Sequence, residues 1–342
     1  MNKILLVSSF SEDTSGGIGT WTNNYLHSNW ANNNDVVFLN MHASRKKKKN
    51  KIFAFFRDLK NVQKFKKTLK TNNPEIVHIN FGGSILGLIR DCMMARIALK
   101  HGKKVFMQCH CDANNFYNND ICVKNLKNIY KNGGKFIVLN PQSQSFFTDK
   151  INVFNTDVFY VPNFVSKQNS RCVIKKDAKT IVFVGHITRA KGVEFIYSLA
   201  KELKNISFKL VGPNFNDVKI PKINNIEFLG ELKRKDVINE MLKSDILVLP
   251  SFSEGLPMVV LEAMSIGLPV IASNVGDIPS VLSDTYAGIF EKGNYEEFAT
   301  KVRLFVNDYE TRILASKSEL AKFYNNYETE CVLRILESIY NL

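Results

Sequence analysis

Short runs of apolar, mostly β-branched residues alternate along the whole chain with segments whose apolar positions recur every three or four residues. Runs of the first kind predict buried strands, and segments of the second kind predict helices. Alternation of the two is typical of parallel sheets joined by crossover helices, so the pattern predicts an α/β fold. The predicted strands are residues 4–8, 36–40, 76–80, 104–109, 135–139, 158–161, 180–184, 207–211, 226–229, 246–249, 269–272 and 288–290.

Two similar sets of strands indicate two doubly wound domains. A length of 342 residues fits two domains of roughly 100 to 200 residues each. The boundary is predicted after Pro162, Asn163 and Phe164, because residues 166–177 are polar and basic without apolar periodicity, as linkers are. The first domain is therefore residues 1–165, and a cleft between the domains is expected. Ligands of such sheets bind beyond the carboxyl ends of the strands, so the loops there are the candidate sites.

Composition narrows the class of protein. The chain is 45% hydrophobic and 23% charged, which is typical of globular proteins and excludes a disordered or collagen-like chain. No apolar stretch is long enough for a spanning helix or for a signal peptide. The six cysteines are then expected to be reduced in a cytoplasmic protein. Cys109, His110 and Cys111 lack a second paired cluster, so no metal site is predicted.

Charge is concentrated in one short segment. Residues 1–165 carry 23 Lys and Arg against 10 Asp and Glu, whereas residues 166–342 carry 23 against 22. Residues 45–70 hold twelve of the basic residues and one acidic residue, and apolar residues recur between them at helical spacing. This basic amphipathic helix either packs only on the sheet, as layer helices do, or also contacts an anionic membrane surface. The residues predicted to contact the membrane are Lys46, Lys47, Lys48, Lys49, Phe53 and Phe56.

The segment most informative about chemistry is residues 249–273, which has the pattern strand, loop, helix, strand. Pro257 suits the first turn of a helix, and the backbone N–H groups around it form an anion site suited to a phosphate. Glu254 stands just before this turn. Glu262 is the lone charge of an otherwise apolar helix, and a buried carboxylate needs strong donors, which a sugar or ribose diol supplies. Alternatively, Glu254 caps the helix and Glu262 pairs with a lysine.

Glu254 and Glu262, with seven residues between them in SEGLPMVVLEAMSIGLPV, resemble the signature of the retaining nucleotide-sugar glycosyltransferases of family 4, which have the GT-B fold. The resemblance implies that Glu254 lies by the transferred sugar, that Glu262 binds the nucleotide ribose, and that the backbone of Gly255, Leu256 and Pro257 faces the donor. It also implies that residues 166–325 bind the nucleotide sugar and that residues 326–342 form a closing helix that returns to the first domain.

Two glycine loops extend the resemblance. In FVGHITRAKG (residues 183–192), Gly185 opens a turn and Lys191 fits the family's diphosphate-binding lysine. His186 occupies the place of the family's arginine, so either Arg189 replaces that arginine or His186 itself contacts phosphate. The loop that contains Gly16 and Gly17 resembles the family's glycine loop, which borders donor and acceptor.

Residues at the ends of first-domain strands complete the predicted site. His110 resembles the family's sugar-contacting histidine, and Asn163 resembles the Pro-Asn turn at the interdomain hinge. His78 is predicted to belong to the core. The sequence has no Asp-x-Asp motif, which transferases that bind the diphosphate through a divalent ion need. Transfer without metal or cofactor is therefore expected, with catalytic roles for His110, Lys191 and Glu254.

The resulting hypothesis is a retaining glycosyltransferase that moves a hexose or N-acetylhexosamine from a UDP- or GDP-sugar. The expected acceptor is lipid-linked or an oligosaccharide in cell-surface polysaccharide synthesis, at the inner face of the membrane. An alternative keeps the fold but makes the protein a nucleotide-sugar epimerase or a phosphorylase. Nucleic-acid binding through residues 45–70 is not predicted, because the segment has no recognised motif. The oligomeric state is left open.

Overall fold

The computed structural model describes residues 3–10, 17–41, 51–214, 217–283 and 285–342. Within them, twelve strands form two parallel sheets. The first sheet has the spatial order β2-β1-β3-β4-β5-β6 and the second β12-β11-β10-β7-β8-β9. The strands are β1 Ile4–Ser8, β2 Val36–Asn40, β3 Ile76–Phe81, β4 Lys104–Cys109, β5 Lys135–Val138, β6 Val158–Tyr160, β7 Thr180–Val184, β8 Ser207–Val211, β9 Ile226–Gly230, β10 Ile246–Leu249, β11 Val270–Ser273 and β12 Ile289–Phe290.

Helices connect these strands. They are α1 Gly17–Leu26, α2 Asn29–Asn32, α3 Lys51–Asn72, α4 Ile85–Lys100, α5 Ala113–Tyr117, α6 Asp120–Lys131, α7 Pro141–Ser145, α8 Val193–Glu202, α9 Arg234–Leu242, α10 Met258–Ile266, α11 Ile278–Leu282, α12 Tyr295–Asn307, α13 Tyr309–Asn326 and α14 Thr329–Tyr340. Short 3-10 turns lie at Asn155–Asp157 and Arg189–Lys191, and a π-helical turn lies at Phe146–Ile151. The predicted α/β class, with two doubly wound sheets, is confirmed.

All twelve predicted strands are present, and the bounds differ by no more than one residue at either end. Strands β1, β3 and β10 are buried along their whole length, as parallel strands covered on both faces should be. The shift of β11 from the predicted 269–272 to Val270–Ser273 has a simple cause. Pro269 has no N–H to donate, and it contributes only its carbonyl, which accepts from the Leu247 N–H at 2.8 Å.

The chain divides into two compact units. Unit 1 is residues 1–163 with 332–342, and unit 2 is residues 164–331; the sequence placed the corresponding changes at residues 165 and 325. Each unit has its own apolar core around its own sheet. Asn163 is thus the last residue of unit 1 before the chain enters unit 2.

The end of the chain is anchored in unit 1. Tyr340, near the end of α14, is buried, and its hydroxyl lies 2.5 Å from Nδ1 of His78. The other ring nitrogen of His78 lies 2.9 Å from the side-chain oxygen of Asn80. His78 is fully buried, so its predicted place in the core is confirmed. Across the described ranges, no helix is long and apolar enough to cross a membrane.

Candidate functional site

The loops that follow β7 and β10 lie side by side in unit 2. These two strands are neighbours in the sheet although they are not consecutive in the chain, which is the point where α/β sheets bind ligands. Gly192 ends the turn after β7 with φ of +68°, and a Cβ there would lie 1.9 Å from the Pro250 carbonyl oxygen. The Phe252 N–H donates to the Ala190 carbonyl at 2.8 Å. Only glycine permits this close approach of the two backbones.

The close approach brings Lys191 and Glu254 together. Nζ of Lys191 lies 2.6 Å from Oε1 of Glu254, and the Ser251 hydroxyl donates to the same oxygen at 2.6 Å. The Glu254 side chain is only 8% exposed and that of Lys191 26%. A carboxylate so far from water needs such partners. The structure therefore holds an ammonium group and a carboxylate in contact at the mouth of the β7 and β10 loops.

A third loop, after β11, supports this arrangement from the other side. Gly276 has φ of +56°, and a Cβ there would lie 2.3 Å from the backbone carbonyl oxygen of Gly255 and 2.4 Å from that of Glu254. The next residue, Asp277, donates its N–H to the Gly255 carbonyl at 3.0 Å. The backbone on either side of the Glu254 side chain is thus fixed by direct packing.

Helix α10 begins just beyond this loop. Pro257 is its N-cap residue, Leu256 is buried and Gly255 is exposed. No side-chain hydrogen bond caps the helix, so the alternative in which Glu254 is the helix cap is wrong; Glu254 instead binds Lys191 and Ser251.

Glu262 lies further along α10 and is buried. Its Oε1 lies 3.2 Å from Nε of Arg234, the first residue of α9. Burial raises the pKa of Glu262, and the charge of Arg234 and its hydrogen bond counteract that rise. The alternative of a lysine partner is therefore wrong in its residue type, since the partner is an arginine.

The other residues of the β7 loop are more exposed. Gly185 packs against Gly212, whose φ is +140° and whose Cβ would lie 1.9 Å from the Gly185 oxygen. His186 is exposed. The Arg189 side chain is 72% exposed, with Nε 3.6 Å from a carboxylate oxygen of Glu194. Neither His186 nor Arg189 is held as Lys191 is, and the choice between them as the second phosphate ligand stays a prediction.

Asp277 is an acidic residue in the loop after β11. Asp277 is 1% exposed, and neither of its carboxylate oxygens has a hydrogen-bond partner in the part of the chain that the structure describes. Burial raises the pKa of Asp277 to about 7. The residue therefore places a poorly solvated carboxyl group directly behind the Glu254 loop.

In unit 1, His110 follows β4 and is partly buried. The backbone N–H of His110 donates to the Phe81 carbonyl at 2.9 Å. Its ring packs against Trp21 in a T-shaped arrangement with centroids 5.4 Å apart. Burial lowers the pKa of His110 to about 3, with a smaller contribution from His78. Among the described residues Nε2 has no hydrogen-bond partner, so a neutral ring leaves this nitrogen available.

The remaining predicted residues of unit 1 are distributed as follows. Gly17 is the exposed first residue of α1, and Asn163 is buried. Phe56 is 58% exposed on α3. Gly16, Lys46, Lys47, Lys48 and Lys49 lie outside the described residues, and so does the side chain of Phe53.

The sequence did not single out Ser251 or Arg234. Ser251 stands three residues before Glu254, and Arg234 stands between Lys233 and Lys235 at the start of α9, so neither carries a distinctive local signal. No group of three or more His, Cys, Asp or Glu side chains in the described ranges could hold a metal ion. Metal independence itself stays a prediction.

Residues 166–318, which lie within unit 2, match the family described as Glycosyl transferases group 1. The matched residues make up nearly all of unit 2. The chain is 34% identical over 149 residues to sulfoquinovosyl transferase SQD2 of Arabidopsis thaliana, a match that covers 40% of this chain and 28% of that protein. It is 30% identical over 172 residues to N,N'-diacetylbacillosaminyl-diphospho-undecaprenol alpha-1,3-N-acetylgalactosaminyltransferase of Campylobacter jejuni, covering 46% and 45%. The chain thus matches less than half the length of either relative.

Solved structures resemble the whole chain. Sucrose-phosphate synthase from Thermosynechococcus elongatus superposes with a TM-score of 0.80 at 15% identity, over 100% of this chain and 98% of that one. HepE of Anabaena, solved with UDP-glucose, superposes with a TM-score of 0.74 at 14% identity over all of both chains. At such identities the likeness concerns the fold alone, which is the GT-B fold that the sequence predicted.

Proposed function

We propose that this protein is a retaining glycosyltransferase that moves a sugar from a nucleotide-diphosphate sugar, UDP- or GDP-linked, to a glycan or lipid-linked acceptor. The observation that carries the proposal is the Lys191–Glu254 contact of 2.6 Å at the carboxyl ends of β7 and β10. A fixed ammonium group suits a diphosphate, and a fixed carboxylate suits the hydroxyl groups of a sugar. The solved complex of HepE with UDP-glucose supports a donor of this class.

In this proposal the donor is bound by unit 2. Lys191, assisted by Arg189 or His186, binds the diphosphate together with backbone N–H groups of Gly255, Leu256 and the start of α10. Glu262 accepts hydrogen bonds from the ribose hydroxyls, and Arg234 holds its carboxylate in place. Gly185 allows the backbone to approach the phosphates. Transfer proceeds without a divalent metal or other cofactor.

The reaction breaks the bond between the anomeric carbon and the diphosphate oxygen and forms a bond from that carbon to the acceptor oxygen on the same face. Lys191 stabilises the negative charge that grows on the diphosphate as the sugar leaves, so it acts on the transition state. The departing phosphate takes the proton of the acceptor hydroxyl. Glu254 stabilises the oxocarbenium-like sugar without forming a covalent bond to it.

Unit 1 supplies the acceptor side. His110, held neutral by burial, binds a sugar hydroxyl through Nε2, and the loop with Gly16 and Gly17 borders donor and acceptor. Asn163 marks the hinge. Because the C. jejuni relative is named for an undecaprenol-linked acceptor, a lipid-linked acceptor is favoured.

Contact with a membrane is proposed through α3 and the start of α4, at the cytoplasmic face. In α3, Phe65 and Leu69 are buried, whereas Phe56 and Leu59 are exposed. On α4, Leu86 is 61% exposed. The lysines of α3 at positions 60, 64, 66, 67 and 70 are exposed. An apolar strip beside lysines suits an anionic bilayer, where each cation contributes about 1 kcal/mol.

Vesicle sedimentation tests the membrane proposal. We expect binding to phosphatidylglycerol-containing vesicles, little binding to phosphatidylcholine alone, and loss of binding when Lys46 to Lys49 are changed to Gln together or Phe56 is changed to Ser. A protein with four exposed lysines of unit 2 changed to Gln serves as the matched control. Equal binding by the two lysine variants would refute a specific role for this segment.

The reaction is tested by incubating the protein with UDP- and GDP-sugars and a membrane extract, then determining the anomeric configuration of the product by NMR. The proposal expects nucleotide release that depends on acceptor, continues in EDTA and retains configuration. Conversion of the sugar without an acceptor would establish an epimerase, and a strict need for free phosphate would establish a phosphorylase. Inversion of the anomeric configuration would refute the retaining mechanism.

A further inference from the structure

Two cysteines flank His110 at the end of β4. Cys109 is the last residue of the strand and is 1% exposed, whereas Cys111 is partly exposed. Their sulfur atoms lie 3.9 Å apart. The Cys109 sulfur also lies 3.4 Å from the Cys111 carbonyl oxygen.

The surroundings divide the two thiols into one that ionises readily and one that does not. Hydrogen bonding with the Cys109 thiol is the main cause that lowers the pKa of Cys111, with help from Gly83 and Tyr117, against burial and the charge of Asp112. Burial raises the pKa of Cys109 well above its ordinary value. Because the thiolate is the nucleophile in thiol–disulfide exchange, Cys111 is the attacking residue and Cys109 its proton-bearing neighbour.

We propose that Cys109 and Cys111 form a reversible thiol–disulfide pair that is oxidised by low-molecular-weight disulfides of the glutathione type and that displaces His110 when it closes. The Cys111 thiolate attacks the small disulfide, forms a mixed disulfide and releases one small thiolate. That thiolate takes the proton of Cys109, whose sulfur then attacks Cys111 Sγ and expels the second small thiolate. Two electrons pass from the protein to the oxidant, which leaves as two thiols.

The consequence for His110 follows from the geometry. A disulfide requires the sulfur atoms to approach from 3.9 Å to about 2.05 Å, and His110 is the single residue inside the ring that closes. His110 is held by its N–H bond to Phe81 and its edge contact with Trp21. Because His110 lies between the two cysteines in the chain, closure of the ring changes the backbone at His110 and moves its imidazole from its place against Trp21. This effect on activity rests on the proposed role of His110 in sugar binding.

The chemistry is tested by exposing the full-length protein to oxidised glutathione, alkylating the remaining thiols and analysing peptides by mass spectrometry. We expect the peptide with Cys109 and Cys111 to escape alkylation and to lose two hydrogens, with recovery after reduction. Cys172 provides an internal control, because it is also partly exposed while burial raises its pKa to about 12. Equal reaction of Cys172 and Cys111, or a fully alkylated pair, would overturn the proposal.

Two variants separate the steps. Cys109→Ala should accumulate glutathione on Cys111, because no thiol resolves the mixed disulfide, and Cys111→Ser should leave Cys109 reduced. Reduced Cys111→Ser should transfer sugar within about twofold of the unmodified protein and resist inactivation by oxidised glutathione. Inactivation of Cys111→Ser at the unmodified rate would refute the link to His110. If no transferase activity is found at all, the peptide analysis still decides the thiol chemistry independently of the proposed function.

Discussion

The loops at the carboxyl ends of the two sheets differ in electrostatics. In unit 2 the loops after β7, β10 and β11 carry ionised groups in contact, with Lys191 against Glu254 and, nearby on α10, Glu262 against Arg234. In unit 1, at the end of β4, the imidazole of His110 packs against Trp21. Burial lowers the pKa of His110 to about 3 and that of His78 to about 4.

This difference matches what each side of a glycosyl transfer must handle. A diphosphate is an anion whose charge grows during reaction, so fixed cations are effective there. A sugar or acceptor hydroxyl is neutral, and an uncharged imidazole can exchange hydrogen bonds with it without bringing an uncompensated charge into a partly buried place. Under the proposed function, charge stabilisation belongs to unit 2 and hydroxyl recognition to unit 1.

The largest expected effect concerns Glu254. Glu254→Ala removes the partner of Lys191 and of Ser251, and transfer should fall by about 10³-fold, comparable to the loss of one fixed group that acts on a transition state. Glu227→Ala, an exposed carboxylate of β9, is the matched control and should retain full activity. Initial rates of nucleotide release measure both, and a fully active Glu254→Ala protein would remove Glu254 from the site.

A smaller loss is expected for His110→Ala, about 10²-fold in kcat/KM, with unchanged binding of the free nucleotide diphosphate, because the nucleotide is bound by unit 2. The pKa of about 3 also means that His110 stays neutral from pH 5 to 8. Any pH-dependent step in the transfer rate between pH 5 and 8 should therefore remain in His110→Ala, because it does not come from His110. A pH-dependent step near pH 6 that vanishes in the variant would contradict the neutral ring.

Arg234→Met should act through Glu262. Without Arg234, the burial that raises the pKa of Glu262 is no longer opposed, and the carboxylate loses its orientation. We expect the KM for the donor to rise about tenfold with little change in kcat, the pattern of lost uniform binding. Lys235→Met, at the next position and exposed, is the control. A fall in kcat at constant KM would place Arg234 in the chemical step instead.

The smallest effect concerns stability. Because the pKa of Asp277 is raised to about 7 in the folded protein, the folded state binds more protons than the unfolded state between about pH 4 and 7. Stability contributed by the neutral carboxyl group is present at low pH and is lost as the pH rises through 7. Asp277→Asn should therefore raise the free energy of unfolding at pH 8 by about 1 kcal/mol or more, with a corresponding rise in melting temperature. At pH 4 the increase should be much smaller. An equal change at both pH values would argue against a buried ionisation.

Sequence pattern was sufficient for the two sheets because strands are encoded locally. Every predicted strand formed, and the shift at Pro269 follows from its missing N–H. The candidate site was also partly predictable. Glu254 and Glu262 stand out since charges are rare in apolar helix-and-loop segments, and Lys191 stands out through the glycine turn around it.

The partners of those residues could not be predicted in the same way. Lys191 contacts Glu254, which is 63 positions further along the sequence, and Arg234 on α9 contacts Glu262 on α10. Those contacts depend on which strands become neighbours and on close backbone approaches at Gly192 and Gly276. The proximity of Cys109 and Cys111 likewise depends on how the chain turns after β4, which no spacing rule supplies.

The most direct test of the central claim is calorimetric titration with UDP and GDP of the unmodified protein, Lys191→Met and Arg189→Met, alongside the phosphate-free nucleosides. The account predicts that Lys191→Met weakens binding of the preferred diphosphate at least tenfold and leaves the weak binding of its nucleoside unchanged, with a smaller loss for Arg189→Met. Diphosphate affinity unchanged in Lys191→Met would contradict the assignment of charge stabilisation to this lysine.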